Sequence, residues 1–174
     1  MIRLATKLDL ASIEDIYRKI HLNEIAKGPI CNWKEGLYPT KKTAEDNILN
    51  LYVLQEDNSI LGAMILNHSQ SPEYKDLMWK YPAEDAKVLV IHTLCTNPQS
   101  HGYGHGQKLL DFAIKEAQQT GMSCIRLDTW EHNLPAQKLY IKNRFEFVGK
   151  HHVCPYGDEI QIFYYYELNI NALK

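Results

Sequence analysis

In the run His101-Gly102-Tyr103-Gly104-His105-Gly106, three glycines fall at alternate positions. A loop stripped of side chains in this way lets its backbone N–H groups lie close against a ligand. Downstream, Leu110, Ala113, Ile114 and Ala117 recur at helical spacing over residues 107–119; upstream, Val88-Leu89-Val90-Ile91 reads as a strand buried on both faces. The expected element is strand, glycine loop, helix, with the loop at the helix N-terminus. Amides without helical partners and the positive end of the helix dipole meet there, which suits a phosphate or pyrophosphate. Two familiar loops do not fit. The nucleotide-hydrolase loop needs Lys-Ser or Lys-Thr after its last glycine, and Gly106 is followed by Gln107-Lys108-Leu109. The dinucleotide fingerprint needs Gly-x-Gly-x-x-Gly, whereas this run is Gly-x-Gly-x-Gly, with Asp128 the acidic residue near the required distance.

Other reactive side chains are scattered. His101, His105, His151 and His152 do not compose a metal site: histidines four apart across glycines lack a rigid helical face, and no carboxylate is spaced to join them. No metal is expected. Cys31, Cys95, Cys124 and Cys154 show no Cys-x-x-Cys spacing, and Cys95 and Cys124 fall in expected strands as small hydrophobes. A reducing, cytoplasmic setting follows.

The elements that would position this loop read in order. Residues 2–6 form a strand, and Asp9 caps a helix carrying Ile13, Ile16, Tyr17 and Ile20 on one face. Residues 21–39 lose periodicity and read as a long aromatic loop with Trp33 and Tyr38; a second helix covers 43–50. Strands over 51–55 and 60–67 make a hairpin through Glu56-Asp57-Asn58-Ser59. Residues 69–86 are irregular, with Tyr74, Trp79 and Tyr81, and strand four spans 88–96. Gly121 ends the helix after the glycine loop. Strand five (123–130) alternates Cys124, Arg126 and Asp128 against Ile125, Leu127 and Thr129. Asn133 caps a short helix with Pro135 in its first turn; strands over 145–150 and 160–168, with a turn at 151–158, close the sheet. The order gives an α+β fold with a mixed sheet in one domain, residues 1–174. A net charge of −2 and a pI near 6.4 leave no footprint for nucleic acid or an anionic membrane. No apolar run suggests a secretory signal or a membrane span, so a soluble protein is expected.

The loop's surroundings resemble the GNAT N-acetyltransferases. Pro98, His101, Gly102, Gly104, Gly106, Leu109 and Leu110 fall in order on the family's Pro-x-x-Arg/Gln-Gly-x-Gly-x-Gly-x-x-Leu-Leu pattern, with His101 in place of Arg or Gln. The run from Asn133 through Ala136, Leu139 and Tyr140 to Phe145 is similar to its Asn-x-x-Ala-x-x-Leu-Tyr-x-x-x-Gly-Phe motif, with Arg144 in the glycine's place. Both motifs lie in residues 85–150; residues 1–80 match in element order only.

The resemblance implies a mostly antiparallel mixed sheet, splayed between strands four and five and flanked by helices. It implies acetyl-CoA as co-substrate, its pantetheine arm on the backbone of Leu94, Cys95 and Thr96. The pyrophosphate would sit on the amides of the loop His101, Gly102, Tyr103, Gly104, His105 and Gly106, gripped mainly by backbone because His101 carries no permanent charge. Asn133 and Tyr140 would also touch the cofactor. A primary amine of a small molecule or peptide would attack the thioester directly, with Tyr140 the general acid for the departing thiolate. His92 on strand four is the candidate base, through water, with Glu131 and Asp128 as further candidates. A homodimer is common in the family. The rival reading is a GNAT-fold module that binds acyl-CoA without turnover; retention of Tyr140 favours the enzyme.

Overall fold

The computed structural model describes residues 1–157 and 159–173. Its elements are β1 (Ile2–Leu4), α1 (Leu10–Lys27), α2 (Lys41–Asp46), β2 (Leu51–Glu56), β3 (Ser59–Asn67), β4 (Val88–Thr96), α3 (His105–Gln119), β5 (Cys124–Trp130), α4 (Leu134–Lys142), β6 (Glu146–Val153) and β7 (Gln161–Asn169). The sheet has seven strands in the order β1-β2-β3-β4-β5-β7-β6. Its β4–β5 pair is parallel, while β1–β2, β2–β3, β5–β7 and β6–β7 are antiparallel. Two compact units share this chain: Met1–Leu66 with His92–Ala113, and Asn67–Ile91 with Ile114 onward.

In the first unit, β2 and β3 turn through Asp57 and Asn58, at φ of +46° and +63°, the left-handed pair a tight two-residue hairpin needs. Ile13, Ile16 and Tyr17 of α1 pack on Leu51, Val53, Ala63, Ile65 and Cys95. Gly62 lets β3 approach β4 closely, since a Cβ there would stand 2.7 Å from the Cys95 carbonyl oxygen. Helix α1 runs seven residues past the point where apolar periodicity stops. Its buried stripe continues through two polar residues, His21 and Glu24, so the sequence pattern fades while the helix does not. Gly28 ends it at φ +92°, its N–H donating to Glu24 O at 2.9 Å. The Glu24 carboxylate then accepts the N–H groups of Ile30 (2.8 Å), Cys31 and Asn32 (3.1 Å), tying down the start of the following loop.

Two further expectations shift here. The Asp9 side chain does not cap α1; Arg3 holds it with two bonds of 2.8 Å, and it accepts the Thr6 N–H at 2.7 Å. The Arg3 guanidinium brings its pKa down to about 2. Helix α2 is shorter than expected, beginning after the Thr40 cap and giving way to a 3-10 turn at Ile48–Asn50.

In the second unit, β7 lies between β5 and β6. Cross-strand partners share a face, so Arg126 and Asp128 stand with Glu167 and Tyr165, and Leu127 stands with Tyr166 on the other. The irregular segment 67–87 covers the first of these faces. Arg126 pairs with Glu167 at 2.9 Å, both nearly inaccessible to solvent, and lies 4.1 Å over the Trp79 ring. The other Glu167 oxygen accepts the N–H groups of Lys80 and Tyr81 at 2.9 and 3.0 Å. Arg126 also donates to Gln70 at 2.8 Å and to the Tyr81 carbonyl at 3.3 Å. Strand β6 runs on to Val153, with His151 and His152 in register opposite Phe163 and Ile162 instead of in the expected turn. The last residue of that turn, Asp158, lies outside the described residues, as does Lys174. No helix among the described residues is long and apolar enough to cross a membrane.

Candidate active site

The glycine loop has the backbone its composition calls for. Gly102 and Gly104 sit at φ +89° and +75°, and a Cβ on either would meet nothing within 4 Å. Conformation, not crowding, demands glycine, and the space above the loop is open. Helix α3 starts at His105, two residues earlier than the periodicity suggests, with Lys108 N–H donating to Gly104 O at 3.0 Å. Gly106 is therefore in the first helical turn, where N–H groups have no carbonyl to bond within the helix.

Two side chains at the start of α3, His105 and Lys108, are already engaged. His105 is only 5% exposed, with Nδ1 3.2 Å from Ser100 Oγ and Nε2 3.7 Å from Glu56. Lys108 is paired with Glu56 at 2.6 Å. Partial burial, then the charge of Lys27, hold the His101 imidazole below its usual range, which disfavours its charged form. Tyr103 is exposed and stacks near His105 at 6.1 Å. Besides the exposed side chains of His101 and Tyr103, the donors this loop can offer an anion are backbone amides.

The ladder between β4 and β5 runs from Val88↔Cys124 to Ile91↔Leu127 and stops. Half-buried His92 follows, then Thr93 at φ +46°, an uncommon and strained conformation for a β-branched residue. The kink leaves Thr93 and Cys95 buried and Leu94 and Thr96 half-buried, on a stretch with no ladder to β5. Burial pushes the Cys95 thiol up to about 12, so it packs as a hydrophobe and does not act as a nucleophile.

Tyr140 projects from α4. The helix is started by Asn133, whose Oδ1 accepts the Ala136 N–H at 3.3 Å, with Pro135 in the first turn. The Tyr140 ring packs on Phe145 (5.8 Å) and Tyr166 (5.9 Å) and is 6% exposed. Its hydroxyl makes no hydrogen bond among the described residues. Burial, and then the charge of Asp128, push its pKa above the ordinary phenol value. After α4 the family's glycine position holds Arg144 at φ +66°, so the left-handed turn is kept at the expense of strain. Arg144→Gly should therefore stabilise the chain by about 1 kcal/mol, read as a higher Tm.

Sequence reading missed three features: the Thr93 kink, the close approach at Gly62, and the bond from Tyr74 Oη to Asp128 Oδ2 at 2.8 Å. The alternation of Arg126 and Asp128 on one strand face was the signal for the last. The aromatic residues of the two irregular segments fall into two sets of contacts. Trp33 packs with Tyr17 and Tyr38 in the first unit, while Tyr74 and Trp79 pack against β7 and Arg126 in the second. The first unit holds a pocket of about 440 Å³ between α1 and residues 35–41. Tyr17 Oη and His21 Nε2, on its lining residues, are buried without a hydrogen-bond partner. Among the described residues no group of three or more His, Cys, Asp or Glu is placed to hold a metal ion.

Known proteins are similar to this chain. A model of the Acetyltransferase (GNAT) family matches residues 11–147. An uncharacterized N-acetyltransferase, YhfO, of Bacillus subtilis strain 168 is 28% identical over 113 residues, 58% of this chain and 76% of that protein. An acetyltransferase of the GNAT family from Streptococcus agalactiae 2603 superposes with a TM-score of 0.76 at 22% identity, covering 95% of this chain and 94% of its own. The structure of yncA from Salmonella typhimurium, which holds its cofactor acetyl-CoA, superposes with a TM-score of 0.70 at 19% identity over 98% of this chain and 93% of its own. With the glycine loop at the head of α3, the interrupted β4–β5 ladder and the family match over most of its length, the chain belongs to the GNAT family of acetyltransferases.

Proposed function

We propose that the protein transfers the acetyl group of acetyl-CoA to a primary amine of a small molecule or peptide. The observation that carries this is the left-handed glycine pair at the N-terminus of α3, open above and furnished with backbone donors. These residues fit acetyl-CoA. The amides of residues 102–106 would hold its pyrophosphate, and the backbone of Leu94, Cys95 and Thr96 would hold its pantetheine arm. Bound there, the group supplies an acetyl thioester.

The chain's own groups do the rest. Tyr140 keeps its proton at neutral pH and presents an unpartnered hydroxyl, suited to donating to a departing thiolate. Asn133, occupied as a helix cap, has its side-chain amide N–H₂ left for the cofactor. His92 relays a proton from the incoming ammonium through water.

Calorimetry with acetyl-CoA tests the loop. Gly104→Ala adds a methyl to an open surface and so should fold, with about 1–2 kcal/mol of left-handed strain. Its affinity should fall by on the order of 10-fold or more, because the methyl stands where the phosphates must approach. Unchanged affinity would remove the loop from the site. Thiol release is then followed with acetyl-CoA and a panel of amino acids, polyamines, aminoglycosides and short peptides; tight binding with no release would make the chain a binding module.

A further inference from the structure

A pyrophosphate is a concentrated negative charge, and backbone amides meet it with dipoles alone. The glycine loop has little permanent charge of its own to add. Lys108 is taken by Glu56 at 2.6 Å, and the same carboxylate lies 3.7 Å from Nε2 of the nearly inaccessible His105. His101 stands where the family's pattern has Arg or Gln, and its charged form is disfavoured. Among these groups no cation is left uncompensated.

One stands beside them. Helix α1 packs against the 3-10 turn Pro98–Ser100, which leads directly into His101. The helix ends at Lys27, whose side chain is exposed and has no ion pair or hydrogen bond among the described residues. Its other permanent cations, Arg18 and Lys19, are both held by Asp15, at 2.5 and 2.8 Å. Lys27 is close enough for its charge to act on the His101 imidazole. A charge that repels a cation at the first residue of the loop would attract an anion bound there. A cation in a last helical turn also complements the helix dipole, but that use needs no reach toward the loop.

We propose that Lys27 is a binding residue for acetyl-CoA, its ammonium pairing with the pyrophosphate held on the amides of residues 102–106. The inference rests on the acetyltransferase reading and adds a side chain from outside the glycine motif. Helix α1 then supplies the permanent charge that His101 does not. Lysine suits this place, because a compact ammonium on a flexible stem meets a phosphate without the fixed fork geometry of arginine. The pair lies at the surface, so its contribution is modest and weakens with salt, whose screening length is about 8 Å at physiological ionic strength.

The test is calorimetry with acetyl-CoA at low ionic strength. Lys27→Gln should bind on the order of 5-fold more weakly than wild type, Lys27→Glu more weakly still, and Lys27→Arg within about twofold of wild type. Adding His101→Arg to Lys27→Gln returns a charge at the family's position, and affinity should recover. Added salt should narrow the gap between wild type and Lys27→Gln. The Tm of Lys27→Gln should stay within about 2 °C of wild type, as for an exposed side chain without a partner. The same fold-loss is expected with acetyl-CoA that lacks the 3′-phosphate. A loss that disappears with that analogue would put Lys27 at the 3′-phosphate and overturn the pyrophosphate assignment. Equal affinities of wild type, Lys27→Gln and Lys27→Glu for acetyl-CoA at low salt would overturn the inference altogether. A further readout needs no ligand: by NMR, the His101 imidazole of the free chain should titrate at higher pH in Lys27→Gln, where a like charge is gone. An unchanged titration would remove Lys27 from the loop and overturn the inference as well. A wild-type chain that does not bind acetyl-CoA would sink the acetyltransferase reading and Lys27 with it, and is told apart from failure of Lys27 alone by that missing wild-type affinity.

Discussion

Tyr140→Phe should lower turnover on the order of 10²-fold, the lower end of what a positioned acid contributes. The structure supplies the reason for the lower end. The phenol's pKa lies above its ordinary value, so it is a weaker acid than free tyrosine, and much of its effect comes from hydrogen bonding to a thiolate that is already a fair leaving group. The structure also makes the substitution a clean one. The hydroxyl has no hydrogen-bond partner among the described residues, so its removal breaks nothing, and the ring contacts with Phe145 and Tyr166 remain. Stability should change by less than about 0.5 kcal/mol. Affinity for acetyl-CoA should hold, because proton donation belongs to the transition state; kcat and kcat/KM should fall together. Because the phenol's pKa is raised, Tyr140 should put no alkaline limb on the rate profile in the neutral range. Near wild-type turnover in Tyr140→Phe would leave the sulfur to be protonated by water.

The parts of this molecule that could be read from the chain are those whose physics is local. A left-handed loop declares itself by alternate glycines, a helix start by Asn133 and Pro135, a tight hairpin by Asp57-Asn58. The order of strands and helices followed from the same signals. What stayed hidden depends on partners distant in sequence. Helix α1 looked finished at residue 20 because His21 and Glu24 are polar, and only the loop that Glu24 holds explains why they are buried. Arg144 stands where the family motif has glycine, yet the backbone takes the left-handed conformation regardless of the side chain. Thr93 offers no signal at all, since nothing in a β-branched residue announces a positive φ. Asp128 was visible as a carboxylate at the end of a strand; its scarcity of partners was not, because that is a property of the segment 67–87 folded over it.

That segment depends on one side chain. Glu167→Ala should cost about 3–5 kcal/mol, the usual price of stranding one member of a buried ion pair. Arg126 would keep its charge, Gln70 and Trp79 while losing its carboxylate, and the Lys80 and Tyr81 N–H groups would lose their acceptor. Urea unfolding gives the loss as a lowered midpoint at unchanged slope. A second variant separates the two causes. In Arg126→Met with Glu167→Gln, the amide oxygen still accepts from Lys80 and Tyr81 and no unpaired charge remains, so most of the lost stability should return. If the double variant is as unstable as Glu167→Ala, the ion pair itself holds the fold; if Glu167→Ala costs under about 1 kcal/mol, the segment is anchored elsewhere.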